Sequence, residues 1–434
     1  MTETTCVTFS LIQPLTQAAL TSAAAVILAQ STAAQPTREA IATDQRIAKS
    51  HDVRPVTQGT TERLLLKLSH DRVLERVFDP RRGLFLRVGL PTEGASFGAG
   101  PAWRVSNYNR SYTLTASTAA SVAREWIGEL ALQVPDLLPS VADDRFFASL
   151  SLAGSGRISN EFWGLGLSSV DADRTVFRLS QTTGAGRVGV RLMPWLNVGT
   201  AAAWLTPNVR SSHNDRIPSI QEVFDESTAP GLTEQPTFFR TEVSLDLDYR
   251  DSIPPTRTAV RLDQVPLAGP SRGGRYQVTL ASYRDRDLAR YSFRRTTIDL
   301  QEHVPLLHGH RVVSLRALAV LNDAPEGQVV PFYLSPTLGG LNVGRGFQTF
   351  RFRDQNLLAL QAEYRYQINP LVSGGVFVDA GQVASSARAL AWSRFKTTYG
   401  TGLRLGARGA AALRLDVAFA GRRPKVILGL GHAF

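Results

Sequence analysis

Few residues in this sequence of 434 amino acids have the types and spacing that site chemistry requires. His308 and His310 could supply two ligands to a metal ion, but a zinc site needs further protein ligands. Asp285 and Asp287 could bind a cation in a loop, although the arginines that alternate with them would neutralise their charge. Motifs of a serine hydrolase, a zinc protease or a phosphate-binding loop are absent. Cys6 is the single cysteine, so there is no cysteine pair either. Because all of these patterns are missing, we predict no enzyme activity, no metal and no cofactor.

The formal net charge of +11 indicates that the protein has an anionic partner. Binding of nucleic acid needs a patch of basic residues, whereas the arginines here are spread over most of the chain. Phosphates of outer-membrane lipid and lipopolysaccharide therefore fit the charge better than nucleic acid does. With 43% hydrophobic and 20% charged residues, the composition is also that of a folded chain.

Apolar residues alternate with polar or small residues along much of the chain, and this pattern predicts the secondary structure elements that must position any site. It is clearest in residues 241–250, 358–368, 399–408 and 413–419. A period of two indicates β-strands. No continuous apolar run reaches the roughly 20 residues that a transmembrane helix needs. Barrel strands of about ten residues cross a bilayer by alternation instead, which agrees with the mean hydropathy of −0.09.

A soluble β-sandwich would alternate in the same way, so other features must decide between the two folds. Paired charges and glycines occupy the polar face, and aromatic residues such as Tyr249, Tyr366 and Phe419 lie near strand ends, as in the aromatic girdles of membrane barrels. An open strand edge cannot exist in lipid, so the sheet must close. We predict an all-β fold, namely a transmembrane antiparallel β-barrel of about 16 strands over residues 83–434.

The N-terminal part has a different organisation. Residues 1–34 end in an apolar stretch followed by small residues, which predicts a removable signal peptide, although no basic residue precedes Arg38. A short buried helix is the alternative. Residues 60–78 have helical spacing of apolar residues, so 35–82 is interpreted as a periplasmic linker with a short amphipathic helix.

The segment 331–381 is the most informative part of the sequence. It contains the motifs Arg345-Gly346-Phe347, Glu363-Tyr364-Arg365 and Phe377-Val378-Asp379-Ala380-Gly381. Together they resemble the BamA/TamA-type outer-membrane barrel superfamily, also called the bacterial surface antigen family. In that family a long loop before the last strands carries an Arg-Gly-aromatic motif, and the next two strands carry the other two motifs. Gly344 departs from the pattern, since valine or leucine usually precedes the arginine.

The resemblance implies that loop 323–356 folds into the barrel lumen with Arg345 at its tip. A guanidinium fork suits carboxylates, so Arg345 is expected to meet Glu363 and Asp379 on neighbouring strands. The glycines of the two motifs let the backbone approach closely. Phe434, the terminal aromatic residue, resembles the recognition signal through which the barrel assembly machinery inserts such proteins.

Weaker resemblance extends to Phe162-Trp163-Gly164-Leu165-Gly166 and to Asp248-Tyr249-Arg250-Asp251. Residues 35–82 are too few for a periplasmic POTRA domain, so the chain resembles a barrel-only member of the family. The resemblance implies residence in the bacterial outer membrane and a role in assembly or translocation of protein or lipid there, with an unknown protein client. A passive channel or structural barrel plugged by its own loop is the alternative. An outer-membrane hydrolase is disfavoured, because no nucleophile–base pattern is present.

Overall fold

The computed structural model describes residues 80, 82–89, 96–107, 111–139, 145–212, 216–251, 270–306, 311–369, 372–405, 413–421, 423–430 and 433–434. All of them belong to the compact unit Leu64–Phe434. The predicted signal peptide, linker and amphipathic helix lie outside the described residues and stay predictions. Within the described part of the chain, no helix is long and apolar enough to span a membrane.

The described residues form one 16-stranded antiparallel sheet, which confirms the predicted fold class and strand number. Each strand pairs with the next one along the chain, except that a small hairpin intervenes between β11 and β14. The strands of the sheet are β1 (Gly83–Gly89), β2 (Gly98–Ser106), β3 (Thr113–Ser121), β4 (Trp126–Val134), β5 (Phe146–Phe162), β6 (Thr175–Met193), β7 (Leu196–Ser211), β8 (Phe238–Asp248), β9 (Gly273–Asp285), β10 (Phe293–Leu306), β11 (Arg311–Asp323), β14 (Asn356–Asn369), β15 (Val372–Ala384), β16 (Lys396–Leu405), β17 (Leu413–Phe419) and β18 (Pro424–Leu430).

The hairpin consists of β12 (Thr337–Leu338) and β13 (Phe352–Arg353). A single turn of helix, α1 (Ile220–Val223), lies in the connection after β7. Among the described residues, no pairing joins β1 to β18, the two strands at the ends of the ladder. The sheet nevertheless curls, as contacts of Arg351 and Arg353, just before β14, with Ser169 and Gly166 between β5 and β6 show.

The two faces of the sheet have the polarity of a membrane barrel. On β10 the outward Leu300 and Val304 are 39% and 43% exposed, whereas Gln301 and His303 on the inner face are 8% and 1% exposed. A soluble sandwich would bury the leucine face and expose the polar one. The apolar outer face therefore confirms the membrane barrel and excludes the sandwich.

Three strands are much longer than the predicted ten residues. β5, β6 and β7 have 17, 19 and 16 residues, respectively. Segment 174–194 forms almost entirely one strand, β6. An apolar band about 25 Å tall needs only part of such strands, so they extend beyond the bilayer.

Long connections pack together at the end of the sheet opposite the tight turn between β6 and β7. Phe162, Phe177, Phe238 and Phe332 are fully buried there in one aromatic core. Phe332 contacts Phe162 and Phe177 with ring centroids 5.1 and 5.0 Å apart. Short turns mark the periplasmic edge of such barrels, so this aromatic core lies at the outer edge.

Glu226 fixes the connection after α1. Its carboxylate accepts hydrogen bonds from the backbone N–H groups of Gly231 and Thr233 and from the Tyr291 hydroxyl between β9 and β10. Burial alone would raise the pKa of Glu226, but these hydrogen bonds outweigh it and lower the pKa below its usual value. The connection is therefore attached to the sheet through an ionised carboxylate.

Candidate functional site: an arginine cluster in the barrel lumen

The connection 324–355, termed the lumen loop below, returns into the barrel instead of projecting outward. Arg345 near its middle is fully buried at 0% exposure. The turn beside it is closed by hydrogen bonds from the Gly339 N–H to the Val343 carbonyl and from the Phe347 N–H to the Gly344 carbonyl. Gly339 and Gly344 have φ angles of +120° and +65°, which glycine adopts without steric cost. The positive φ angle explains why this chain has Gly344 at the position where the family usually has valine or leucine.

Arg345 lies between the two predicted carboxylates. Its Nε and Nη2 atoms donate to the Oδ2 and Oδ1 atoms of Asp379 at 2.9 and 2.8 Å. The Nη1 atom donates to Oε2 of Glu363 at 2.6 Å, and the guanidinium lies 3.4 Å from the ring centroid of Phe377. Burial alone would lower the pKa of Arg345, but the bonds to Asp379 and Glu363 outweigh it and raise the pKa. The structure thus brings together the three charged residues singled out in the sequence.

Three further charged residues complete this site, and sequence reasoning did not single them out. Arg404 on β16 donates to Glu363 at 3.1 Å and to Asp416 on β17 at 2.6 Å. Arg414 on β17 lies 3.4 Å from Asp416 and donates to the backbone carbonyl of Leu341 in the lumen loop. Their signal was the alternation of the two strands, which already placed all three on the polar face.

We call the six residues Arg345, Glu363, Asp379, Arg404, Arg414 and Asp416 the arginine cluster. Their exposures are all 4% or less, so none of the charges is screened by bulk water. Three guanidinium groups face three carboxylates, which balances the formal charge of the cluster. Charges buried in this way contribute specificity of position more than stability, because pairing only offsets the loss of hydration.

The glycines of the motifs make room for the lumen loop. A Cβ on Gly346 would lie 2.7 Å from the carbonyl carbon of Phe419 on β17. A Cβ on Gly381 would lie 2.7 Å from the side chain of Leu338 in the hairpin. Phe347 packs against Phe352 with ring centroids 5.3 Å apart. Both glycines are thus places where the loop touches the barrel wall.

The lumen loop is also attached on the opposite side of the barrel. Arg351 donates to the hydroxyl and carbonyl oxygens of Ser169, both at 2.8 Å, and its guanidinium lies 5.4 Å from the Trp163 ring. The Gly166 N–H donates to the Arg353 carbonyl at 2.7 Å. The aromatic-glycine motif after β5 is therefore a contact surface for this loop.

On the last strand, β18, the Lys425 ammonium donates to the Phe347 carbonyl. The lumen loop thus bonds to polar groups of β14, β15, β17 and β18, and on β16 the Lys396 ammonium lies 4.8 Å from the centroid of the Phe352 ring.

The other residues singled out in the sequence lie apart from the arginine cluster. Asp285 accepts backbone hydrogen bonds in the turn after β9, and Asp287 accepts one from the Thr237 N–H. His308 and His310 lie outside the described residues. Among the residues that the structure describes, no group of three or more acidic, histidine or cysteine side chains could hold a metal.

The family comparison agrees with this geometry. A family model described as the Omp85 superfamily domain matches residues 270–431, a range that contains β9 to β18 and the whole arginine cluster. Residues 270–431 form an Omp85 superfamily domain. Proteins of this superfamily reside in the bacterial outer membrane, and so does this chain.

A solved structure with a TM-score above 0.5 has the same fold, and two others match more weakly. BamA from Haemophilus ducreyi lacking POTRA domains 1-3 is similar with a TM-score of 0.56 and 12% identity over 81% of this chain and 69% of that chain. CdiB from Acinetobacter baumannii has a TM-score of 0.46 and 11% identity over 80% of this chain. CdiB from Escherichia coli has a TM-score of 0.49 and 13% identity over 81% of this chain. The matches span 58% and 61% of these two CdiB chains. No curated protein matched the sequence significantly.

Proposed function

We propose that this protein assembles or translocates protein or lipid at the bacterial outer membrane, and that its barrel opens between β1 and β18. One observation carries the proposal. Four of the last five strands, β14, β15, β17 and β18, form hydrogen bonds or ion pairs with the lumen loop, from Glu363 on β14 to Lys425 on β18. On β16 the Lys396 ammonium lies 4.8 Å from the Phe352 ring centroid of the loop. The loop is therefore positioned to control how far these strands can move as a group.

The energetics favour movement of loop and strands as one body. Separating Arg345 from Asp379 would leave the buried Asp379 carboxylate without its guanidinium partner, at a cost of about 3–5 kcal/mol. By contrast, no described hydrogen bond of the ladder joins β1 to β18. Opening at this seam keeps the arginine cluster intact, whereas opening between β14 and β17 would disrupt it.

The resemblance supplies the partners of this proposal. They are the barrel assembly machinery for the insertion of this chain through Phe434, the surrounding lipid and lipopolysaccharide, and a protein client. Depletion of the protein in its host should lower the amount of at least one other outer-membrane component, measured by quantitative proteomics and lipid analysis of purified outer membranes. Unchanged outer membranes after complete depletion would refute the assembly role.

A passive channel closed by its own loop is the second candidate. The lumen loop occupies the interior with Arg345 fully buried, and its Phe332 joins the aromatic core at the outer edge, as the parts of a plug would. In planar bilayers the channel hypothesis requires a large rise in conductance for Arg345→Met over the wild type. The assembly hypothesis requires little conductance from either protein.

A further inference from the structure

The outer wall of the barrel carries a carboxylate where lipid is expected. Glu302 on β10 points outward, with Leu300 before it and Val304 and Leu306 after it on the same face. These three apolar side chains are 39%, 43% and 40% exposed, and the cross-strand neighbour Leu315 is 45% exposed. A charged side chain within the apolar band is costly and usually marks a functional site.

Two tyrosines hold this carboxylate in place. The hydroxyls of Tyr249 and Tyr276 donate to Oε2 of Glu302 at 2.8 and 2.5 Å, and the two hydroxyl oxygens lie 3.0 Å apart. A Cβ on Gly274 would lie 2.3 Å from the same Oε2 atom, so a glycine is required for the carboxylate to lie flat on the sheet. No basic side chain of the described residues forms an ion pair with Glu302. Its negative charge is oriented but not balanced.

An apolar groove of about 590 Å³ begins at Tyr276 and Glu302 and runs over the outer face of β10, β11, β14 and β15. The outward residues that line it beyond the carboxylate are Leu300, Leu315, Ala317, Leu360, Ala362, Val378 and Ala380. Three of them are alanines, whose short side chains leave the depression between the larger neighbours. The volume is in the range of small-molecule binding sites.

The strand direction places this site in the inner half of the membrane. β10 ends at Leu306, which is at the same edge of the sheet as the tight turn between β6 and β7. That edge is periplasmic in barrels of this kind. Lipids on this side are phospholipids, because lipopolysaccharide occupies the outer leaflet.

We propose that this groove binds a phospholipid with a primary ammonium headgroup, such as phosphatidylethanolamine. The ammonium donates to Glu302 and balances its charge, and one acyl chain lies along the alanine depression. Charge-assisted hydrogen bonds of this kind are the strong ones, so the headgroup sets the selectivity. The site is on the opposite face of the wall from the arginine cluster and does not depend on the proposed function.

The test uses the full-length protein reconstituted with an equal mixture of phosphatidylethanolamine and phosphatidylglycerol, then released into mild detergent for native mass spectrometry. The wild type should retain phosphatidylethanolamine in preference to phosphatidylglycerol. Glu302→Gln keeps the tyrosine contacts but removes the charge. It should lower retention of phosphatidylethanolamine by about tenfold, which corresponds to roughly 1.4 kcal/mol. Glu326→Gln, at the exposed start of the lumen loop at the other edge of the sheet, is the matched control for phospholipid retention and should behave as wild type.

A second variant tests the groove itself. Ala362→Phe fills the depression and should reduce phospholipid retention, while the unboiled protein keeps its gel mobility as evidence of an intact barrel. Equal retention of phosphatidylethanolamine by wild type and Glu302→Gln would overturn the proposal. So would equal retention of the two phospholipids by the wild type, or a protein instead of a lipid found cross-linked at position 302.

Discussion

Replacing Arg345 by methionine should detach the lumen loop and leave the barrel folded. Asp379 would lose its guanidinium partner, whereas Glu363 would keep Arg404 at 3.1 Å. Only one carboxylate is then left uncompensated, so we expect a cost near the lower limit for a broken buried pair, about 3 kcal/mol. That corresponds to roughly a 150-fold shift of the loop from the docked toward the undocked state.

Hydrogen exchange of lumen-loop peptides, measured by mass spectrometry on the protein in bilayers, reports this shift. The double variant Arg345→Met with Asp379→Asn should recover most of the protection, because neither charge is then left unpaired. Arg388→Met, an exposed arginine outside the cluster, serves as the control. Equal exchange in the wild type and Arg345→Met would refute the reasoning, as would a double variant that exchanges as fast as the single one.

Three further results are expected. Gly346→Ala should destabilise the barrel by about 1–3 kcal/mol, because the added Cβ overpacks against Phe419. The temperature at which half of the protein loses the gel mobility of the folded form should therefore fall. It should not fall in Gly128→Ala, whose Cβ meets nothing within 4 Å. Lys425→Met removes one charged hydrogen bond to the loop, so loop exchange should rise, but less than in Arg345→Met. Because folding lowers the pKa of Glu226, its stabilisation of the outer connection is complete above the unfolded value of about 4.3 and is lost as pH falls further. The protection factors of the amides bound by Glu226 should fall below about pH 4, and unchanged protection factors would contradict this.

Much of the fold could be predicted because apolar residues alternate with polar or small ones along each strand, and the two sets face opposite sides of the sheet. A shift of one residue would expose Glu363 and Arg404 to lipid, so the register of each strand is strongly specified. Strand length was less predictable. In the part of β6 outside the bilayer, polar residues occur at every second position just as they do on the lumen face. The sequence of β6 therefore does not show at which residue the strand leaves the membrane.

The arginine cluster could be predicted only in part. The resemblance supplied Arg345, Glu363 and Asp379, and their proximity follows from neighbouring strands. Arg404 and Asp416 belong to the arginine cluster because their inward positions on β16 and β17 lie beside the tip of the lumen loop. Which inward positions lie there depends on the register of the strands and on the curl of the sheet. No pattern in the sequence distinguishes Glu302 from any other polar residue of an alternating strand.

Opening between β1 and β18 can be tested with a reversible disulfide between these two strands, introduced as a pair of cysteines in a Cys6→Ser background. The cross-linked protein should fail to restore outer-membrane assembly in a depleted host, and reductant should restore it. The measured quantity is the recovery of the outer-membrane component that depletion lowers. Full recovery with the disulfide intact would contradict opening between the first and last strands.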